Sequence, residues 1–178
     1  MEDFECDLVD TQALSKYNDS YKYLLTVIDL FSEFLHIVTL KSKTGKDVSA
    51  AFHTVLQDPK YLKPIKWRPV WVRTDKGKEF LNTTFQNLLK REGIQFQVCK
   101  NPDIKCSVVE RAHCIIRDKL YKYFTHKNTY RYIDVLQDFV TGYNASVHSS
   151  TGMAPANDTD SDVLEIWKIM QKKQGLCV

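Results

Sequence analysis

PVWVRTDKGKEF, residues 69–80, is the key to the architecture. PVWVRT is an apolar, β-branched run of strand length. It ends on Asp75, passes through Gly77, and gives way to Phe85, Leu88 and Leu89 at helical spacing, stopping at Gly93. A buried strand followed at once by a helix is one unit of an α/β sheet. Ligands of such sheets gather at the carboxyl ends of the strands, which is where Asp75 stands.

Toward the N-terminus, FECDLV (4–9), YKYLLTVIDL (21–30) and EFLHIVTL (33–40) are rich in β-branched and aromatic residues. SKYNDS supplies turn residues between the first two, and the joint before the third is short, so a three-stranded antiparallel meander is expected. Val48, Ala51, Phe52, Val55 and Leu56 form one buried stripe of a helix from about Lys46 to Gln57, ended by the loop of Pro59 and Pro64. Toward the C-terminus, IQFQVC (94–99) reads as a fifth strand. After a loop from Lys100 to Lys105, a long helix is expected near Ser107 as N-cap, with Val109, Ala112, Ile116, Leu120 and Tyr123 on its core face. A helix around Tyr130 to Ala145 is expected to bury Ile133, Leu136, Val140 and Tyr143. The order predicts an α/β fold: a mixed five-stranded sheet with helices on both faces.

The 178 residues suit one domain, expected over 1–156, with a polar linker (NDTDSD) and a connector helix (VLEIWKIMQKK) over 157–178. At 43% hydrophobic content the chain has the means to build a core. No run approaches the roughly 20 apolar residues of a membrane span, and no secretory leader is visible. Five cysteines at irregular spacing argue against a disulfide framework, and no C-x-x-C pair marks a zinc site. The net charge of +3 is compatible with nucleic acid, and basic residues cluster in KSKTGK (41–46), KYLKPIKWR (60–68), KGK (76–78) and RDKLYK (117–122).

Three acids carry the chemistry. Asp7 lies inside an apolar run, Asp75 ends one, and Glu110 opens the long helix. Acids at the ends of core elements are costly unless they are paired or bind a cation. Three converging carboxylates form an oxygen cage suited to Mg²⁺ or Mn²⁺. Asp7 is preferred to Asp10, which strand alternation sends to the other face. Asp29 is read as structural, Glu79 as a cap for the following helix, and His148 as a satisfied structural histidine.

Four blocks in order now carry a resemblance. DLVDTQALSKYNDSYKYLLTVIDLFSEF resembles the first-aspartate strand and hairpin of retroviral-type integrase catalytic cores, of the ribonuclease-H-like superfamily. TDKGKEF resembles the second-aspartate block, SVVER the glutamate block, and GYNASVHSSTGMAPA the stretch closing such cores. The chain looks closest to integrases of Polinton or Maverick transposons. The resemblance implies that Asp7, Asp75 and Glu110 are catalytic and hold two divalent ions, Mg²⁺ or Mn²⁺. It also implies cleavage of DNA 3′ ends and strand transfer into target DNA, self-association as a homodimer or higher oligomer, and action in the nucleus. Lys76, Lys78, Lys105, Arg111, Arg117 and Lys119 flank the acids and are the expected phosphate contacts.

The chain departs from the pattern in four places. Only 34 residues separate Asp75 from Glu110, one fewer than in retroviral cores. Lys76 and His113 each replace a usual Asn, and Cys114 stands where a basic residue is common, although Arg117 keeps that face basic. A plain nuclease of the same fold, or a domesticated and inactive DNA- or protein-binding module, are the alternatives. No zinc-binding module precedes the core and no small β-barrel follows, so a piece of a longer protein is expected.

Overall fold

The computed structural model describes residues 3–59, 69–99, 107–159 and 161–173. Strands β1 (Asp3–Asp10), β2 (Tyr23–Asp29) and β3 (Leu35–Leu40) form the expected antiparallel meander. β4 (Trp71–Thr74) lies parallel to β1, and β5 (Gln95–Val98) lies parallel to β4, which completes a mixed sheet of order β3-β2-β1-β4-β5. Helices α1 (Gly45–Leu56), α2 (Lys78–Leu81) and α3 (Thr83–Arg91) cover one face. Helices α4 (Ser107–Lys127) and α5 (Leu136–Asn144) cover the other, and α6 (Val163–Lys173) follows.

Strand alternation divides the core in two. Phe4 and Cys6 of β1 and Leu25 and Val27 of β2 pack against Phe52, Val55, Phe80 and Phe85. Leu24 and Ile28 of β2 and Leu35 and Ile37 of β3 pack against Val109, Ala112, Ile116, Tyr132, Leu136 and Val140. Each large apolar side chain buried in this way contributes about 1.5–3 kcal/mol. The expected stripe of α1 is buried throughout, its N-cap Thr44 accepting the Asp47 N–H. Gly93 adopts φ +72°, a left-handed residue that ends α3 and turns the chain into β5.

The structure corrects three local expectations. The helix after Asp75 is two helices, broken at Asn82, and Asn82 rather than Glu79 caps α3 by accepting the Phe85 N–H at 3.0 Å. On α4, Val109, Ala112 and Ile116 are buried as expected, but Leu120 and Tyr123 are only half-buried, and Phe124 takes the deep position. The helix expected from Tyr130 starts instead at Leu136, and Ile133 is half-buried while Tyr132 is buried. The cause is Asn18, whose Oδ1 accepts the N–H groups of Tyr132 (2.7 Å) and Ile133 (3.1 Å) and whose Nδ2 donates to the Tyr130 carbonyl (3.0 Å). Those backbone groups are satisfied by a distant side chain, so 130–135 holds a turn. Ser107 is the first residue of α4, and the Lys100–Lys105 loop, with Lys105, lies outside the described residues.

Candidate active site

On β1, every second residue from Asp3 points to the α4 side of the sheet, giving an acidic ladder of Asp3, Glu5 and Asp7. Asp3 is buried and pairs with the Arg73 guanidinium at 2.5 Å. Glu5 is buried, and its Oε2 accepts the Val109 N–H of α4 at 3.2 Å. Burial pushes the Glu5 carboxyl above its ordinary value, against the bond from Val109 and the charge of Arg73. Asp7 is half-buried. Its Oδ1 accepts the neighbouring Leu8 N–H at 2.8 Å, and its Oδ2 lies 3.5 Å from His113 Nδ1.

The sheet places Asp75 beside Asp7. Cys6 and Thr74 are the last residues paired between β1 and β4, so the next residue of each chain segment is one of the two aspartates. Asp75 is exposed and its Oδ1 accepts the Gly77 N–H at 2.9 Å. A Cβ at position 77 would sit 2.9 Å from that oxygen and 2.8 Å from the Glu79 carboxyl carbon, so a side chain there would make the two carboxylates shift. Glu110 is exposed in the first turn of α4, and its charge reaches both Glu5 and His113. Asp7 and Glu110 therefore both act on one imidazole. Burial pushes His113 below the usual histidine range, while both acids oppose that shift.

The donor set is all oxygen, the chemistry of a hard divalent cation. Two buried polar atoms beside Asp7 have no hydrogen-bond partner among the described residues: Nε2 of His113, and Oγ1 of Thr26, which pairs with Asp7 across β1 and β2. Buried polar groups are normally satisfied, so these two atoms have capacity for a further bond. The residues thus fit Mg²⁺ or Mn²⁺ by type and by strand position. Their side chains are not gathered: among the described residues, no three His, Cys, Asp or Glu groups stand close enough to hold an ion.

The basic residues fall into two sets. Lys76 and Lys78 are exposed on the turn after Asp75. Arg117 is exposed on the α4 face of Glu110, donates to Cys114 Sγ at 3.6 Å, and acts on His113. Arg111 follows Glu110 but projects about 100° further round the helix. It pairs with Glu33 at 3.1 Å and, with Lys119, lines a separate cleft of ≈ 280 Å³. There Glu33, at φ +59°, accepts from Arg111 and lies 2.8 Å from His148 Nδ1, while His148 Nε2 faces the Tyr143 carbonyl at 3.1 Å. His148 is thus the satisfied structural histidine expected. Asp29 is structural too, accepting the Phe31 N–H and the Ser32 hydroxyl, and exposed Asp10 is bonded to Gln12. Glu5 was missed by sequence reasoning, though the two-residue period that favoured Asp7 over Asp10 also puts Glu5 on the Asp7 face. The Glu33 network carries no local signal.

The chain matches the integrase core domain family over residues 4–102. The transposon-derived protein F54H12.3 of Caenorhabditis elegans is 39% identical over 142 residues, 80% of this chain and 47% of that protein. The chain therefore spans about half the length of this curated relative. Among solved structures, the HTLV-2 integrase catalytic core domain in complex with magnesium superposes with a TM-score of 0.67 at 20% identity, over 87% of this chain and 93% of that one. The simian T-cell lymphotropic virus intasome, in complex with PP2A regulatory subunit B56 gamma, gives 0.73 at 18% identity, over 89% and 55%. Those two likenesses show the ribonuclease-H-like fold expected from the sequence.

Proposed function

Because the chain belongs to the integrase core domain family, we propose that it is the catalytic core of a DNA integrase or transposase, a polynucleotidyl transferase that cleaves DNA 3′ ends and joins them to target DNA. One observation carries the reading: Asp7 and Asp75 each follow the last residue paired between parallel strands β1 and β4, and Glu110 in the first turn of α4 acts on the same histidine as Asp7. In this reading Asp7, Asp75 and Glu110 hold Mg²⁺ or Mn²⁺, two ions per site. Bound there, the metal supplies Lewis-acid stabilisation of charge at the phosphate and a more acidic nucleophile. Magnesium is the ion in the HTLV-2 core named above.

The chain's own groups do the rest. Lys76, Lys78 and Arg117 draw the DNA backbone to the acidic end by phosphate contact, as does Lys105. Arg111 and Lys119 offer phosphate contacts from the neighbouring cleft. His113 holds the Asp7 carboxylate on the α4 side. DNA ends and target DNA are the partners, in the nucleus, and the core acts as a homodimer or larger assembly, as solved relatives occur in dimeric, trimeric and intasome forms. No helix among the described residues is long and apolar enough to cross a membrane. Residues 1–156 form the core, and 157–178 serve as linker and connector helix, with Ile166 of α6 buried.

The test is a strand-transfer assay with labelled transposon ends and Mn²⁺. Wild-type protein should cleave and join. Asp75→Asn should lose both reactions by about a hundredfold or more, the scale of removing one electrostatic stabiliser of a transition state, while keeping its melting temperature. Hydrolysis without joining marks a nuclease, and wild-type rates in Asp75→Asn defeat the assignment. The turn of Asp75 onto Gly77 favours a second reading, a non-catalytic binding module. In that case Mg²⁺ leaves the melting temperature of wild type and Asp75→Asn equally unchanged.

A further inference from the structure

Glu5 is the member of the β1 ladder that accepts a backbone N–H of α4, 104 positions away in sequence. The first N–H groups of a helix have no partner within it and carry partial positive charge. α4 begins at Ser107, so the Val109 N–H is one of these, and it donates to Glu5 Oε2 at 3.2 Å. Glu5 stands two residues before Asp7 on the same face of β1, and Val109 immediately precedes Glu110. One bond thus spans the two elements that present the first and third acids.

Glu5 is only 6% exposed, and an anion buried at that depth is expensive. Val9, Leu24 and Ile28, facing the same core, are apolar, and Arg73, the β4 partner of Glu5, supplies an opposing charge. An apolar residue at position 5 would fill the space at lower cost, but it would strand the Val109 N–H and let the start of α4 slide over the sheet.

We infer that Glu5 is a positioning residue: its buried carboxylate clamps the first turn of α4 to β1 and sets Glu110 at the height of Asp7. The inference rests on the reading above, in which those acids act together. Glu5 itself is no ligand in this arrangement, since it lies beneath the helix.

The experiment compares wild type with Glu5→Gln, which keeps an acceptor of the same length, Glu5→Asp, which shortens it, and Glu5→Leu, which removes it. Hydrogen exchange at the Val109 amide is measured without metal, Mn²⁺ affinity by electron paramagnetic resonance, and folding by thermal melting. Glu5→Leu should lose protection at Val109 and bind Mn²⁺ about tenfold more weakly, the lower end of what supporting partners of metal ligands contribute. Glu5→Asp should fall between, and Glu5→Gln should recover most of both. A purely structural role would lower the melting temperature of the leucine variant and leave Mn²⁺ affinity of the folded protein unchanged, which overturns the inference. Equal impairment of Gln and Leu also overturns it. If Glu5→Leu does not fold, the order Gln above Asp in both measurements decides. If wild type binds no Mn²⁺, the metal reading fails, and exchange at Val109 still decides whether the clamp exists.

Discussion

Replacing Glu33 with Gln isolates the charge at the hub that joins the β2–β3 turn, α4 and the 145–153 turn. The substitution keeps the side chain's shape and leaves the φ of +59° as it is. In the native protein the carboxylate is 8% exposed and meets His148 Nδ1 at 2.8 Å and Arg111 at 3.1 Å. A buried hydrogen bond to a charged group is worth about 1.5–3 kcal/mol. Arg111 is 53% exposed, so its share is discounted to at most about 0.5–1 kcal/mol. The amide keeps one acceptor, which leaves an expected loss of about 2 kcal/mol at pH 7, or about 4–8 °C in melting temperature for a chain of this size.

The pH dependence has a definite sign. Burial acts to raise the Glu33 pKa, but the bonds from His148 and Ser150 and the charge of Arg111 outweigh it and leave the group below its ordinary value. A depressed carboxyl contributes its full stability above the unfolded value of about 4.3 and loses it as pH falls through the folded value. Urea unfolding of both proteins from pH 8 down to pH 3 should therefore show a gap that is constant above about pH 5 and closes in acid. A gap that persists unchanged at pH 3, or none at pH 7, refutes the charge argument.

Two further outcomes are expected. Asn18→Ala strands backbone groups of Leu14, Tyr130, Tyr132 and Ile133 that a fully buried side chain now satisfies, and should cost about 2–4 kcal/mol by urea unfolding, with loss of exchange protection at Tyr132. Lys76→Ala, Lys78→Ala and Arg117→Ala should each lower the salt dependence of duplex binding, read as the slope of log K against log salt, by about 0.9, while exposed Lys127, at the opposite end of α4 from Glu110, should not.

Much of this molecule was legible in the chain. Strands β1 to β3, the stripe of α1 and the buried start of α4 follow from periods of two and 3.6 residues, which local sterics impose. The position of Asp75 at a strand end was equally local, because the strand and the turn after it are contiguous residues. α5 was misplaced because its start depends on Asn18, more than a hundred residues away, and no local propensity encodes a remote side chain that satisfies the backbone of Tyr132. Arg111 and Lys119 were grouped with the acids because they are near in sequence, yet a 100° step per residue turns Arg111 toward Glu33.

Spacing and residue type, which are properties of the chain, were enough for the five strands, the order of the main elements and the choice of Asp7, Asp75 and Glu110 as candidates. What folding alone could settle is that parallel pairing of β1 and β4 brings Asp7 and Asp75 side by side, that Glu5 reaches across to α4, and that His113 meets Asp7 and feels Glu110. Register and helix placement arise from packing two faces of one sheet at once, and that balance does not exist until distant segments meet.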